Sequence, residues 1–201
     1  MKKSFSFPII FMIIITAFFT FILAFLNYKT VDVIAYNQET DLRKTILYVF
    51  NIEVPSEDPK TIEEVFNKYV EEEEIEGKTI YTVKEGSRVT AYAFPIGGTG
   101  LWGTVEGYAA ISADNNELLG IDFVSHSETP GLGGRISEEP FKEQFRGLDL
   151  SNAKNGEYII YRPAADGNVD SIAGATLTSK SVSKFLNENI KDFIENQKGE
   201  N

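Results

Sequence analysis

Residues 4–28 carry no charged side chain, and the run F-P-I-I-F-M-I-I-I-T-A-F-F-T-F-I-L-A-F-L within them supplies the ~20 apolar residues a helix needs to cross a bilayer. This stretch predicts one membrane anchor at the start of the chain. A cleaved leader has a shorter apolar core and a small-x-small cleavage site, and neither is evident here, so the segment reads as an uncleaved signal-anchor. Lys2 and Lys3 precede it, while Lys29 is soon followed by Asp32, so the positive-inside rule keeps the N-terminus in the cytoplasm. The expected organisation is a cytoplasmic N-terminus and transmembrane anchor over residues 1–29, a membrane-proximal helical region over 30–76, and a domain over 77–201. Residues 30–201 are expected outside the cell membrane, which the chain crosses once.

The chain has 201 residues, enough for one well-packed domain behind the anchor. All 30 acidic residues follow the anchor, against 19 basic residues in the whole chain, for a net charge of −11. That balance excludes nucleic-acid binding through a broad basic surface. The absence of cysteine removes disulfides, thiolate chemistry, iron–sulfur clusters and covalent haem attachment. Redox chemistry in this chain needs a bound organic cofactor.

Residues 38–50 place Leu42, Ile46, Val49 and Phe50 at helical spacing, with Glu39 and Asp41 near the start; this helix can simply extend the anchor. Asp58 reads as a cap, with Pro59 at the first helical position and Ile62, Val65, Phe66, Tyr69 and Val70 along one face. The run from Glu71 to Glu74 reads as the solvated end of that helix. Alternation predicts strands over 79–84, 88–96, 104–113 and 118–125, with Asp114-Asn115-Asn116 as the last turn between them. A short helix over 138–146, capped by Ser137 and stopped by Gly147, a strand at 158–161 and a closing helix over 179–196 follow. The closing helix carries Val182, Phe185, Leu186, Ile190, Phe193 and Ile194 as one stripe, which must pack on the sheet. The expected fold is α+β, a largely antiparallel sheet packed with helices.

Three stretches stand apart from this scaffold. In D-S-I-A-G-A-T-L-T-S, residues 170–179, small Gly174 and Ala175 let a bulky group approach the backbone, and the hydroxyls of Thr176, Thr178 and Ser179 can accept or cap. The helix that follows presents unpaired amides and the positive end of its dipole, a place for a phosphate. Taken alone, Gly-Ala-Thr before a helix is an ordinary loop-to-helix junction. The second stretch, residues 97–103, reads G-G-T-G-L-W-G. Leu101 and Trp102 there offer an apolar surface to a flat ligand, or Trp102 is a core residue beside a glycine hairpin. The third, residues 126–135, reads H-S-E-T-P-G-L-G-G-R, a stiff loop whose glycines let backbone amides point at a ligand. His126, the only histidine, orients this loop or caps a strand, and Glu128 bonds loop amides.

The first stretch resembles the flavinylation motif Asp-x-x-Ser/Thr-Gly-Ala-Thr, in which FMN is joined through its phosphate to the last threonine. Asp170, Gly174, Ala175 and Thr176 match it, and Ala173 stands where the pattern prefers a hydroxyl. The three stretches in this order, behind one membrane helix, resemble the FMN-binding subunit family of bacterial membrane redox pumps. They are similar to the NqrC component of the sodium-translocating NADH:quinone reductase and more distantly to the flavin-bearing component of the Rnf complex. The resemblance implies an FMN-binding domain over 77–201, with covalent FMN on Thr176. Glu128, Thr129, Gly131, Leu132 and Gly133 would lie beside the flavin ring, with Leu101 and Trp102 near it. It also implies electron transfer among the other subunits of a membrane redox complex, a flavin transferase for maturation, and the lipid bilayer as a partner. A free-standing extracytoplasmic electron shuttle, or a non-redox module for a phosphorylated ligand, are the alternatives that the residues leave open.

Overall fold

The computed structural model describes residues 6–75, 77–153 and 156–199. It divides into two compact units, Met1–Thr40 and Asp41–Asn201. The first is built on helix α1, Ser6–Val49, which joins the anchor and the predicted 38–50 helix in one element. At 44 residues it is about 66 Å long, and by length and composition it can cross a membrane. Most of its large apolar side chains from Phe7 to Tyr36 are exposed. Thr30 donates to the Leu26 carbonyl at 2.9 Å, so this hydroxyl is satisfied within the helix.

The second unit begins at Asp41, within α1, and so contains the end of that helix. Asn51 adopts φ 58°, its N–H bonds the Tyr48 carbonyl at 2.9 Å, and the Ile52 N–H reaches back to Leu47 at 2.9 Å. This is a Schellman closure with asparagine in the left-handed position. Helix α2, Pro59–Tyr69, starts as expected, because the Asp58 carboxylate accepts from the N–H groups of Lys60 and Thr61. Six strands then form an antiparallel sheet in sequence order: β1 Val70–Ile75, β2 Lys78–Glu85, β3 Arg88–Thr99, β4 Thr104–Ser112, β5 Glu117–Ser125 and β6 Leu148–Asp149. The fold class read from the sequence is therefore borne out.

Four local expectations are corrected. The run from Glu71 to Glu74 is not a helix end but most of edge strand β1. Strand geometry sends alternate carboxylates to opposite faces, and Lys84 on β2 bridges Glu71 and Glu73 at 2.6 and 3.5 Å. The predicted 138–146 helix is broken into a 3-10 turn at Gly133–Ser137, helix α3 at Glu139–Lys142 and a second 3-10 turn at Glu143–Phe145. Ser137 does not cap it; Glu138 holds that position without a side-chain bond. Residues 158–161 form only one bridge, Tyr161 to Val169, since a side chain takes their ladder bonds: Asn187 Oδ1 accepts from the N–H of Tyr158 and Ile159 at 2.6 and 2.9 Å. Helix α4 spans Thr176–Gly199, so it starts at Thr176 and not at Ser179.

The sheet buries both faces. On one, Phe94, Ile96, Val105, Ala109, Ile121 and Phe123 pack with the α4 stripe and with Phe141 and Phe145. Phe193 stacks on Phe94 with centroids 4.0 Å apart. On the other, Ile46, Leu47, Val49 and Phe50 of the α1 end join Ile62 and Phe66 of α2 over Tyr81, Ala91, Ala93 and Ala110. The alanines let these helices approach closely. At Gly98 a Cβ would lie 2.5 Å from the Phe185 side chain, so α4 sits hard against β3. Gly98→Ala is expected to destabilise the fold by about 1–3 kcal/mol, read as a lower urea midpoint; a midpoint equal to wild type would contradict this packing.

Candidate functional site

Glu128 lies in the loop after β5, and its side chain is 4% exposed. A carboxylate buried that far is tolerated only when donors surround it. Here Oε1 accepts the N–H of Leu101 at 2.7 Å and of Trp102 at 3.1 Å. Oε2 accepts from the Thr178 hydroxyl at 2.5 Å. One side chain thus joins the β3–β4 turn, its own loop and the first turn of α4, the three stretches singled out in the sequence. Burial alone would raise the Glu128 carboxyl pKa. The bonds from Thr178, Trp102 and Leu101 outweigh burial, so the pKa lies below its ordinary value.

The glycines around it are there for space. A Cβ at Gly100 would come 2.5 Å from Glu128 Oε1, and one at Gly133 would come 2.5 Å from Oε2 and 2.6 Å from Thr178 Oγ1. The β3–β4 turn is closed by Gly100 N–H to the Gly103 carbonyl at 2.8 Å. The hairpin expectation holds, but Trp102 is no core residue: it is 68% exposed, with Leu101 beside it at 46%. In the next loop His126 Nδ1 accepts the Glu128 N–H at 3.3 Å and Nε2 meets Ser137 Oγ at 3.0 Å. With a partner on each ring nitrogen, His126 orients this loop. The Thr129 carbonyl accepts from Leu132 and Gly134, and Gly131 takes φ 72°. The loop therefore turns out exposed Thr129, Gly131 and Leu132.

Before α4 the chain makes a tight turn. Ala175 N–H bonds the Ile172 carbonyl at 3.0 Å, Gly174 adopts φ 80°, and Ser179 Oγ accepts the Ile172 N–H at 3.0 Å. Thr178 and Ser179 are each 1% exposed, and both hydroxyls are engaged, Ser179 within the turn and Thr178 with Glu128. Thr176 is exposed at the first helical position. Among the described residues no hydrogen bond reaches the N–H of Thr176, Leu177 or Thr178, so three amides at the positive helix end are free for an anion. Leu132 closes one side, its Cδ2 being 3.4 Å from where a Gly174 Cβ would stand. Ala175 is buried beneath.

Asp170 is the predicted residue that the Glu128 cluster does not gather in. Its carboxylate pairs with Arg162 Nη1 at 2.9 Å, and its N–H bonds Gln144 Oε1 at 2.7 Å. Sequence reasoning missed both Arg162 and Gln144, since nothing in a polar residue of a loop or short turn announces its partner.

Residues 100–191 match the family described as FMN-binding domain. The chain is 35% identical over 116 residues to the NqrC component of the Na(+)-translocating NADH-quinone reductase of Pseudomonas aeruginosa, covering 54% of this chain and 44% of that protein. It is 34% identical over 137 residues to the protein of the same name from Haemophilus ducreyi, covering 66% and 50%. The matched part thus spans half or less of these relatives' length. The crystal structure of the corresponding Na(+)-translocating NADH-quinone reductase component from Parabacteroides distasonis is similar with TM-score 0.66 and 26% identity, over 80% of this chain and 92% of that one. That of Shewanella oneidensis NqrC, at 16% identity and TM-score 0.64 over 79% and 98%, shares the fold. The resemblance drawn from the three motifs is borne out.

Glu128→Ala leaves two amides and a hydroxyl without their acceptor and is expected to cost about 3 kcal/mol. In Glu128→Gln the group no longer titrates. Because the folded-state pKa is lowered, the advantage of wild type over this variant should be full above the ordinary carboxylate range and fade as pH falls through the lowered value. Urea melts at several pH values check this; a gap unchanged into strong acid would contradict an ionised Glu128.

Proposed function

We propose that this chain, whose residues 100–191 match the FMN-binding domain family, is a membrane-anchored electron carrier with FMN attached covalently to Thr176. It works as a subunit of a sodium-translocating NADH:quinone reductase or an Rnf-like complex, with its flavin domain outside the cell membrane and α1 as the anchor. The observation that carries this reading is the meeting at Glu128. One buried carboxylate brings the Leu101-Trp102 turn and the first turn of α4 together beside an exposed threonine hydroxyl and three free amides.

The residues fit a flavin tethered by its phosphate. Thr176 Oγ1 would carry the phosphoester, the chain then holding FMN less one water, and the free amides of the α4 first turn would offer donors to the remaining phosphate charge. Thr178 is a poor alternative acceptor, because its hydroxyl is buried and engaged with Glu128. Exposed Leu101, Trp102, Leu132 and Leu177 offer apolar area for a flat ring, with Thr129, Gly131 and Gly133 at its edge. Glu128 acts by holding these parts in place, since both its oxygens are occupied. Asp170, Gly174 and Ala175 form the turn that a flavin transferase would read. When bound, the flavin supplies one-electron chemistry, and the protein supplies position and a tuned environment. A covalent bond suits a cofactor carried outside the cytoplasm, where a dissociated flavin is not replaced.

Two outcomes are expected. In a host with a flavin transferase, the intact mass of the wild-type chain should rise by FMN less one water, and Thr176→Ala should show no gain while its thermal melt is unchanged. Covalent flavin retained in that variant would place the acceptor elsewhere. Leu132→Ala should keep the covalent flavin but shift its reduction potential; a titration identical to wild type would remove Leu132 from the ring.

A further inference from the structure

The short segment from Lys142 to Arg146 points its consecutive side chains at three different parts of the fold. Phe145 is fully buried in the core under α4. Glu143, Arg146 and Lys142 grip the end of α1. The Tyr48 hydroxyl donates to Glu143 Oε1 at 2.8 Å, and both terminal nitrogens of Arg146 donate to the Tyr48 carbonyl at 3.2 Å. The Arg146 guanidinium and the Lys142 ammonium lie 4.6 and 4.0 Å from the Tyr48 ring centroid. Two cations at the negative end of a long helix, one of them bonded to the Tyr48 carbonyl in its last turn, are a strong C-terminal clasp. The segment is itself fixed to the sheet, since Lys142 pairs with Asp122 of β5 at 2.8 Å and Arg146 Nη1 donates to the Leu119 carbonyl at 3.0 Å.

Between these gripping residues sits Gln144, whose Oε1 accepts the Asp170 N–H at 2.7 Å. Asp170 opens the turn that ends at Thr176. The Asp170 side chain is tied by Arg162 at the surface, where an ion pair contributes little, so beyond the bridge that holds Val169 the Gln144 bond is the restraint on the Asp170 backbone. A 3-10 turn of three residues, Glu143–Phe145, is too short for Glu143 and Gln144 to move apart independently.

We propose that Gln144 is a positioning residue for the flavin-bearing turn, and that the 142–146 segment couples its setting to the end of α1. A change in how Tyr48 is held then reaches Asp170 through a contiguous chain of two hydrogen bonds and one peptide step. The link to flavin rests on the reading of Thr176 given above; the mechanical coupling does not.

The test uses the full-length chain in detergent micelles with hydrogen exchange read by mass spectrometry. Gln144→Met keeps the side-chain volume and removes the acceptor; Tyr48→Phe keeps the ring and removes the hydroxyl. Gln144→Met should speed exchange at the Asp170 amide by about three- to tenfold, and Tyr48→Phe should speed the same amide by a smaller factor, with β3 and β4 amides unchanged in both. The double variant should be no faster there than Gln144→Met alone, as expected of two residues acting through one contact. Tyr48→Phe with Asp170 exchange at the wild-type rate, or with β3 and β4 amides accelerated by the same factor, would overturn the coupling. In flavin-loaded chain both single variants should shift the flavin potential in the same direction, and potentials equal to wild type in both would overturn Gln144 as a positioning residue. A wild-type chain that gains no flavin fails the Thr176 assignment instead, and the exchange data still decide the coupling.

Discussion

A carboxylate removed from water needs its lone pairs filled, and the buried Glu128 finds its donors in two segments of chain remote from its own loop. This requirement sets the geometry of the site. The two amides of Leu101 and Trp102 can reach Oε1 only if the β3–β4 turn bends toward the loop after β5, and Gly100 and Gly133 are needed because a Cβ at either would collide with the carboxylate. The Thr178 hydroxyl reaches Oε2 only if α4 begins where it does, which leaves Thr176 outward. Exposure of the Thr176 hydroxyl and burial of Thr178 follow from one interaction.

The scaffold makes that arrangement rigid. The antiparallel sheet is covered on both faces, by α4 on one and by the α1 end with α2 on the other, so the loops at the site are carried by elements that cannot shift independently. Gly98 against Phe185 and Phe94 against Phe193 fix α4 along β3. Asn187 fixes the same helix to the 158–160 backbone. The proposed tethered flavin would have to keep its distance and orientation to its redox partners through repeated turnover, and this packing would provide that constancy.

Much of this was legible in the sequence because it is local. Asp58-Pro59 and the stripe after it announce α2, and alternation announces the four strands β2 to β5. The glycines and hydroxyls of the three motifs mark places where backbone or ligand must come close. What was not legible is long-range or lacks period. Four adjacent glutamates carry no signal that separates a strand from a helix end, so β1 was missed. The 158–161 segment looks like a strand because it is one in propensity, but its ladder partner is an asparagine side chain on α4. Trp102 is ambiguous by type, and only the Glu128 bond to its amide explains why it stands exposed. The pairing of Glu128 with Thr178, fifty positions apart, joins motifs that the sequence shows only as neighbours in order.

Trp102 is the only tryptophan in the chain, and that makes the central claim directly measurable. If Glu128 brings the Leu101-Trp102 turn to the helix that carries the flavin, the indole emission should be largely quenched in the flavin-loaded chain and restored in unloaded Thr176→Ala. Full tryptophan emission from a chain shown by mass to carry one FMN would contradict the account, because the turn and the flavin would then not share a site.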